Sequence, residues 1–188
     1  IDCMVASHAD ADHIGGLPYL IEHFDVGAFL AGPDLSSSHT YAELQAAIAA
    51  RHIRTIPAHE WDALQGFGGV KVDLLGPLPG RDDNDASIAM LIEDGGVKIL
   101  TTGDLTERGE SQMLAEGSLT DIDVLKVGHH GSRDSTSDGF LDVVRPEVAL
   151  ISVGERNTYG HPAPETIERL QQHGAAVFRT DQSGTLWV

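Results

Sequence analysis

Four side chains of metal-ligand type lie within six consecutive positions near the start of the chain. They are His8, Asp10, Asp12 and His13, and a Gly-Gly pair follows them. Because alternate residues of an extended segment point the same way, His8 and Asp10 can share one ion. Asp12 and His13 can then turn toward a second ion. The run therefore predicts a metal site directly after the apolar segment that precedes it.

Two more clusters follow predicted strands. Asp104 comes after the strand Val97–Thr101, and His129 with His130 comes after Val124–Val127. A carboxylate shared by two ions holds them roughly 3.5–4 Å apart, so we expect Asp104 to bridge them. If the strand before the His pair alternates to its end, His129 is the ligand, and His130 lies behind it or contacts substrate.

The remaining histidines divide into two kinds. His161 lies in a turn-rich segment, Asn157–Pro162, and is predicted to contact a phosphate or a leaving group. The others have no ligand-type partners near them in sequence, and we expect them to be structural: His23, His39, His52, His59 and His173.

Apolar strands alternate with amphipathic helices along the chain, which predicts a sheet packed against helices in one domain spanning residues 1–188. Strands are predicted at Ile1–Ser7, Val26–Ala31, Arg54–Pro57, Val70–Leu75, Ser87–Glu93, Val97–Thr101, Val124–Val127, Val148–Val153, Ala176–Thr180 and Thr185–Val188. Helices are predicted at Gly16–His23, Ser36–Arg51, Thr106–Glu116, Ser137–Val144 and Glu165–His173, and the clearest loop at Gly76–Asp85.

The composition and charge of the chain exclude several classes of site and segment. The 188 residues carry a formal net charge of −17, with 29 acidic residues, ten His and one Cys. One cysteine rules out an intrachain disulfide framework and a zinc finger. No apolar run reaches the length of a membrane span, and no Gly-x-x-x-x-Gly-Lys phosphate loop is present. The negative charge disfavours broad nucleic-acid binding unless a local cationic centre reverses the field.

The first motif resembles the His-x-His-x-Asp-His signature of the metallo-β-lactamase superfamily, with Asp10 in place of the second His. The variant followed by Gly-Gly is similar to the ComEC-type competence proteins, whose soluble domain is a predicted nuclease. Further segments match in order, and these are Asn84–Ser87, Leu100–Leu105, Leu125–Ser132, Asn157–Pro162 and Arg179–Asp181. The resemblance implies an α+β fold, a four-layer αββα sandwich. The family's initial strands are absent here, so we expect a piece truncated at its N-terminus.

The resemblance also implies two divalent ions, Zn or Mn, with mixed occupancy allowed. We assign His8, Asp10 and Asp104 to one ion, with Asn84 where the superfamily usually supplies another His. The predicted ligands of the other ion are Asp12, His13, His129 and Asp104. The predicted catalytic residues are Asp12, Asp104, His130 and His161. The predicted substrate contacts are Asn84, Ser87, Lys126, Ser132, Asn157 and His161.

By resemblance, the function is a phosphodiesterase or DNase-like hydrolase of a DNA-uptake protein, using a hydroxide activated by a dinuclear metal site. Lys126, Arg133, Arg156 and Arg179 lie in or beside the motifs and could flank a phosphate. The acidic surface instead favours a hydrolase of small substrates such as a thioester, lactone or β-lactam. A metal-stabilised binding module without activity is the third alternative. The resemblance places the domain outside the cytoplasm, attached to a membrane channel; a cytoplasmic location is the alternative.

Overall fold

The computed structural model describes residues 1–32, 36–58, 63–64, 68–76 and 83–187. Its smaller sheet holds three parallel strands among these residues, β1 (Cys3–Ala6), β2 (Ala28–Ala31) and β3 (Arg54–Pro57), in that spatial order. The parallel arrangement requires crossovers, and helices supply them. After β1 come α1 (Ala11–Ile14) and α2 (Leu17–His23), and after β2 comes α3 (His39–Ala50).

The larger sheet contains the remaining strands of the described chain, in the spatial order β10-β9-β8-β7-β6-β5-β4. They are β4 (Ala63–Leu64), β5 (Lys71–Leu74), β6 (Met90–Asp94), β7 (Val97–Thr101), β8 (Val124–Lys126), β9 (Val148–Ile151) and β10 (Ala176–Arg179). Strands β4 to β7 are antiparallel, and β7 to β10 are parallel. The β6–β7 hairpin turns at Gly95-Gly96, where both residues have positive φ, as a tight hairpin turn requires.

Helices connect the parallel strands of the larger sheet. Between successive strands lie α4 (Glu107–Glu116), α5 (Asp138–Val144) and α6 (Pro164–Gln172), and α7 (Thr180–Ser183) follows β10. Three helices have an N-cap residue with a hydroxyl side chain. These residues are Ser38 for α3, Thr106 for α4 and Ser137 for α5, and each hydroxyl accepts a hydrogen bond from a backbone N–H of the first turn.

The packing is a four-layer αββα sandwich, so the predicted fold class is confirmed. Strand β1 shows the layering by its alternation: Met4 and Ala6 pack toward α2 and α3, whereas Cys3 and Val5 face the larger sheet. A third cluster, which includes Leu125 of β8, fills the space between the larger sheet and helices α5 and α6. Burial of each large apolar side chain contributes about 1.5–3 kcal/mol.

The predicted elements lie within a few residues of the observed ones, with one clear error at the C-terminus. Residues 185–187 of the predicted strand Thr185–Val188 form no strand, and Trp187 is 92% exposed. The chain instead makes the short helix α7, which ends at Gly184 with a positive φ. Position 188, His59 and residues 77–82 of the predicted loop lie outside the described residues.

Candidate metal centre

The first motif lies where β1 ends. Strand β1 stops at Ala6, and the buried His8 comes two residues later. The short helix α1 begins at Ala11, and its tight turn brings Asp12 and His13 back toward His8. The rings of His8 and His13 lie 4.1 Å apart, centroid to centroid. The motif therefore wraps around one point, as the spacing of its residues predicts.

Asp104 lies at the middle of the cluster and is only 3% exposed. Its Oδ1 lies 3.3 Å from His13 Nε2, and its Oδ2 lies 3.5 Å from His130 Nε2. The Nε2 atoms of His8 and His129 are 3.9 and 3.8 Å from the same Oδ2. Four imidazole nitrogens thus converge on one carboxylate. Burial raises the pKa of this carboxyl, but His13, His130 and His8 together outweigh it and lower the pKa to about 2.

Two groups of ligand-type atoms can be defined in the described part of the chain. In each group the atoms all lie within 4.8 Å of one another. One group is formed by His8, His13 and Asp104, and the other by Asp12, His13 and His130. His13 belongs to both, so the two groups form one continuous cluster. Asp10 lies outside both groups, although its Oδ2 is 3.6 Å from His8 Nε2.

The structure favours His130 over His129 as the partner of Asp12 and His13, contrary to the sequence expectation. Strand β8 ends at Lys126, and the residues Gly128–Gly131 form a 3₁₀ turn. Both His129 and His130 have left-handed backbones, with φ of 45° and 53°. The alternation of a strand therefore does not extend to the pair, so it cannot decide which His is the ligand.

A hydrogen bond of His130 also determines which of its ring nitrogens can bind a metal ion. Its Nδ1 lies 2.7 Å from the backbone oxygen of Ser152. A carbonyl oxygen only accepts, so Nδ1 carries a proton and donates it. In the neutral ring the lone pair is then on Nε2, which lies 3.2 Å from Asp12 Oδ2 and 3.1 Å from His13 Nε2. This is the tautomer that an imidazole ligand needs at Nε2.

Two serine hydroxyls make hydrogen bonds with residues of the cluster. Ser7 Oγ lies 3.1 Å from Nδ1 of His8 and 3.1 Å from Nδ1 of His13. A hydroxyl has one proton, so at least one of these Nδ1 atoms must donate to it, which leaves the Nε2 lone pair of that ring toward the cluster. Ser87 Oγ accepts the backbone N–H of Asp104 at 3.0 Å. Its side chain is fully buried, so it supports the site and does not fit the predicted substrate contact.

Other predicted substrate contacts also make internal hydrogen bonds. Lys126 Nζ donates to the backbone oxygen of Val127, and burial lowers the pKa of this amine. Ser132 Oγ accepts the backbone N–H of Asp134, and Ser132 is only 6% exposed. Asn84 Nδ2 lies 3.5 Å from His129 Nδ1, beside the cluster. Of these three residues, Asn84 is the one whose side chain contacts a histidine of the cluster.

The loop after β9 carries Asn157 and His161. The Asn157 amide donates to the backbone oxygens of Gly154 and His161, and its Oδ1 accepts the His161 backbone N–H at 3.0 Å. Asn157 therefore braces this loop. The His161 ring makes an edge contact with the His129 ring at 5.5 Å. Burial, with His129 and His130 nearby, lowers the pKa of the His161 imidazole.

The basic residues beside the motifs are largely paired with acids. Arg133 is 2.9 Å from Glu165, and Arg179 pairs with Asp181 through two hydrogen bonds. Arg156 is exposed in the loop after β9.

Four of the five histidines predicted to be structural lie in the described part of the chain. His39 pairs with Glu43 on the surface of α3, and His173 lies 3.1 Å from Asp138. His23 is bonded to the Tyr19 backbone oxygen, and His52 has a positive φ after α3. None of these four belongs to either metal-ligand group.

One buried acid that braces the site was not assigned from the sequence. Asp85 is 2% exposed and accepts both the backbone N–H and the hydroxyl of Thr106, each at 2.9 Å. Its other oxygen lies 2.6 Å from Arg108 Nε. The contacts tie the turn that carries Asn84 to the start of α4, and they lower the pKa of Asp85 against the effect of its burial. Asp85 lies in a run of polar loop residues, so no local pattern distinguishes it.

Comparison with known proteins assigns the family. The model of the metallo-β-lactamase superfamily matches residues 1–155. The chain belongs to this superfamily. The resemblance of the first motif is therefore confirmed over most of the chain.

The chain is also similar to bacterial competence proteins. The chain is 33% identical over 188 residues to ComE operon protein 3 of Bacillus subtilis (strain 168), covering 99% of this chain and 24% of the relative. It is 34% identical over 189 residues to competence protein ComA of Neisseria gonorrhoeae, covering 99% and 25%. It is 32% identical over 190 residues to recombination protein 2 of Haemophilus influenzae, covering 100% and 22%. The chain spans about a quarter of the length of these relatives.

Solved structures of the same fold are more distant in sequence. A CmlA β-hydroxylase variant superposes with a TM-score of 0.62 at 16% identity, over 95% of this chain and 43% of that chain. Zinc-bound PqqB from Methylobacterium extorquens gives 0.52 at 13% identity, over 95% and 71%. At such identities the likeness shows the fold alone. Among the described residues, no helix combines the length and apolar character that a bilayer crossing needs.

Members of the metallo-β-lactamase superfamily generally bind divalent metals such as zinc, and the donors of this chain fit such ions. His13 Nε2 and His130 Nε2 lie 3.1 Å apart beside Asp12, and Asp104 Oδ1 accepts no well-directed hydrogen bond from the described residues despite its burial. Nitrogen and carboxylate oxygen atoms packed this closely repel one another unless protons or cations lie between them. A set of imidazole and carboxylate donors suits zinc and also manganese.

Proposed function

We propose that this chain is a metal-dependent phosphodiesterase that cleaves DNA, and that residues 1–188 form the single hydrolase domain of a larger competence protein. The observation that most strongly supports this proposal is the convergence of His8, His13 and His130 on the buried carboxylate of Asp104. The similarity to competence proteins over nearly the whole chain supports DNA as the substrate. By the same similarity, we place the domain outside the cytoplasm, attached to a membrane-spanning part.

His8 and Asp104 would hold one divalent ion, and Asp12, His13 and His130 would hold the other. His13 is assigned to one ion only, because its Nδ1 contacts Ser7 and its Nε2 has a single lone pair. Bound ions of this kind lower the pKa of a coordinated water and offset negative charge on the substrate. The side chains and backbone of the protein would hold the metal ligands in the orientation that binding needs. Ser7 orients the rings of His8 and His13, and the Ser152 carbonyl oxygen orients His130.

His161 has a second role in this proposal. It lines the cleft beside Asp12 and His130, and the lowered pKa keeps its imidazole uncharged at neutral pH. A neutral imidazole presents one donor and one acceptor nitrogen, so it can bond a phosphate oxygen or take a proton. Asn157 holds the backbone of His161 in place for this contact.

A test compares metal-free protein with protein loaded with Mn²⁺ or Zn²⁺. The substrates are a single-stranded oligodeoxynucleotide, bis(p-nitrophenyl) phosphate, a thioester and a β-lactam. We expect turnover of the first two only, and we expect Asp104→Ala and His8→Ala to reduce it to background. His39→Ala serves as the matched control, because this side chain is 86% exposed on α3 and pairs only with a surface acid in the described chain. Full activity in both site variants would refute the assignment.

A second candidate function rests on the net charge of −17, which opposes long polyanions. It is hydrolysis of a small thioester, lactone or β-lactam at the same site. Turnover of these compounds without turnover of phosphodiesters would establish this candidate in place of the first. Metal binding without turnover of any compound would instead indicate a binding module.

A further inference from the structure

The loop after β9 holds an aromatic side chain almost entirely in solvent. Tyr159 is 83% exposed, and its ring lies nearly parallel to that of His161, with centroids 6.0 Å apart and planes 14° apart. Within the described part of the chain, the Tyr159 hydroxyl makes no hydrogen bond. One face of the ring lies toward His161, and the rest of the ring is open to solvent, so a flat molecule could bury it.

The loop that presents this ring is braced. The three hydrogen bonds of the Asn157 amide close the backbone between Gly154 and His161. Binding on Tyr159 therefore has a small ordering cost, because the backbone beneath it is already fixed.

The ring and the metal centre share one cleft. This cleft has a volume of about 430 Å³, within the range of small-molecule sites. Its lining includes Asp12 and His130 of the candidate metal centre as well as Tyr159 and His161. The rings of these residues form a chain, since the ring centroids of His161 and His129 are 5.5 Å apart and those of His129 and His130 are 6.3 Å apart. A molecule that lies along the cleft meets the candidate metal ligands and the exposed ring together.

We propose that Tyr159, backed by His161, is a stacking platform for the nucleobase next to the phosphate that is cleaved. This inference rests on the proposed phosphodiesterase function. A flat base matches the open face of the ring, and its sugar and phosphate then extend toward Asp12 and His130. Stacking needs an exposed base face, which paired bases within a duplex do not offer. The platform therefore selects unpaired nucleotides, and it requires no cationic groove on this acidic chain.

Equilibrium binding tests the platform without any need for turnover. The probes are a fluorescent eight-nucleotide oligothymidylate with phosphorothioate linkages and an abasic oligomer of equal length and charge, each with metal-loaded protein. We expect Tyr159→Ala to weaken binding of the oligothymidylate by about 10-fold, as loss of one base–aromatic stack does. Binding of the abasic oligomer should not change, and Tyr159→Phe should keep the affinity. Equal affinities in wild type and Tyr159→Ala, or an equal loss on the abasic oligomer, would overturn the proposal.

A second tyrosine provides a matched control. Tyr19 is 62% exposed and stacks on His23 with ring centroids 4.0 Å apart, but it lies on α2 and does not line the cleft. Tyr19→Ala should therefore leave both binding curves unchanged. A loss equal to that of Tyr159→Ala would show that general surface aromaticity, rather than the cleft, holds the base.

Kinetics separate a failure of this inference from a failure of the proposed function. Two esters with the same leaving group are compared, the p-nitrophenyl ester of thymidine 5′-phosphate and methyl p-nitrophenyl phosphate. Tyr159→Ala should raise KM about 10-fold for the thymidine ester and leave kcat/KM for the methyl ester unchanged. If the wild type cleaves neither ester, the proposed function fails and the binding experiment alone decides about Tyr159. If it cleaves both and Tyr159→Ala changes neither, only the platform is refuted.

Discussion

Replacing Asp104 by Asn should make the metal-free protein less stable in a pH-dependent way. The carboxyl is 3% exposed, and nearby imidazoles lower its pKa from 3.8 to about 2. Asn has nearly the same shape and no charge, so the substitution removes the ionic interaction with little change in packing. With 1.36 kcal/mol for each pKa unit, the ionised carboxylate contributes about 2 kcal/mol to the free energy of unfolding.

The sign of the pH dependence follows from the lowered pKa. A depressed carboxyl pKa adds stability above the unfolded value of 3.8, and this stability is lost as pH falls toward 2. The difference between wild type and Asp104→Asn should therefore be about 2 kcal/mol at pH 5 and about 1 kcal/mol at pH 3. Any packing effect of the amide is the same at both pH values and cancels in the comparison.

Urea unfolding of chelator-treated protein at pH 5 and pH 3 measures these differences. Asp94→Asn is the control, because Asp94 is exposed at the end of β6 and should give equal small differences at both pH values. An Asp104→Asn difference that does not shrink at pH 3 would refute the electrostatic account of this carboxylate. A pH-independent loss would then be attributed to packing alone.

Two other substitutions probe the groups that hold the site and the fold. Ser7→Ala removes the hydroxyl that contacts two imidazoles and should weaken divalent-ion binding by about 10–100-fold, measured by calorimetric titration. Unchanged affinity would mean that the rings need no support from Ser7. Glu110→Ala removes a fully buried carboxylate that accepts two backbone N–H groups at the start of α5, and should cost at least about 2 kcal/mol in urea unfolding. A cost below about 0.5 kcal/mol would show that those groups find other acceptors.

The sequence predicts the gathering of the site well because the relevant residues follow strand ends. Strands β7, β8 and β9 are parallel, so the segments after them meet at one edge of the larger sheet. Asp104 and the His pair lie in the first two of these segments, and Ser152 lies in the third. The parallel strands alone therefore bring these segments together, although Asp104 and Ser152 are 48 positions apart in sequence.

The sequence does not predict the backbone conformation of the His129–His130 pair. Two successive non-glycine residues with positive φ are uncommon, and no periodic pattern indicates them. The turn is held by contacts distant in sequence, since the His129 N–H donates to the Gly103 backbone oxygen and His130 Nδ1 donates to Ser152. The contacts of Asp85 also join residues that are distant in sequence, because its partners at the start of α4 are about twenty residues away.

The charge of the chain leads to a last prediction, about salt. Three of the basic residues in or beside the motifs have partners within the protein: Arg179 is paired with Asp181, Arg133 is paired with Glu165, and Lys126 Nζ donates to a backbone oxygen. Arg156 is exposed in the loop that also carries the proposed platform. If one such cation meets one phosphate, the logarithm of the oligonucleotide binding constant should fall with the logarithm of salt concentration with a slope of about −0.7. Fluorescence titrations at constant divalent ion and increasing KCl measure this slope, with Arg156→Gln as the variant that should flatten it. A slope steeper than about −3 would require several phosphate contacts, and it would mean that a cationic track, rather than the metal centre and one stacked base, holds the strand.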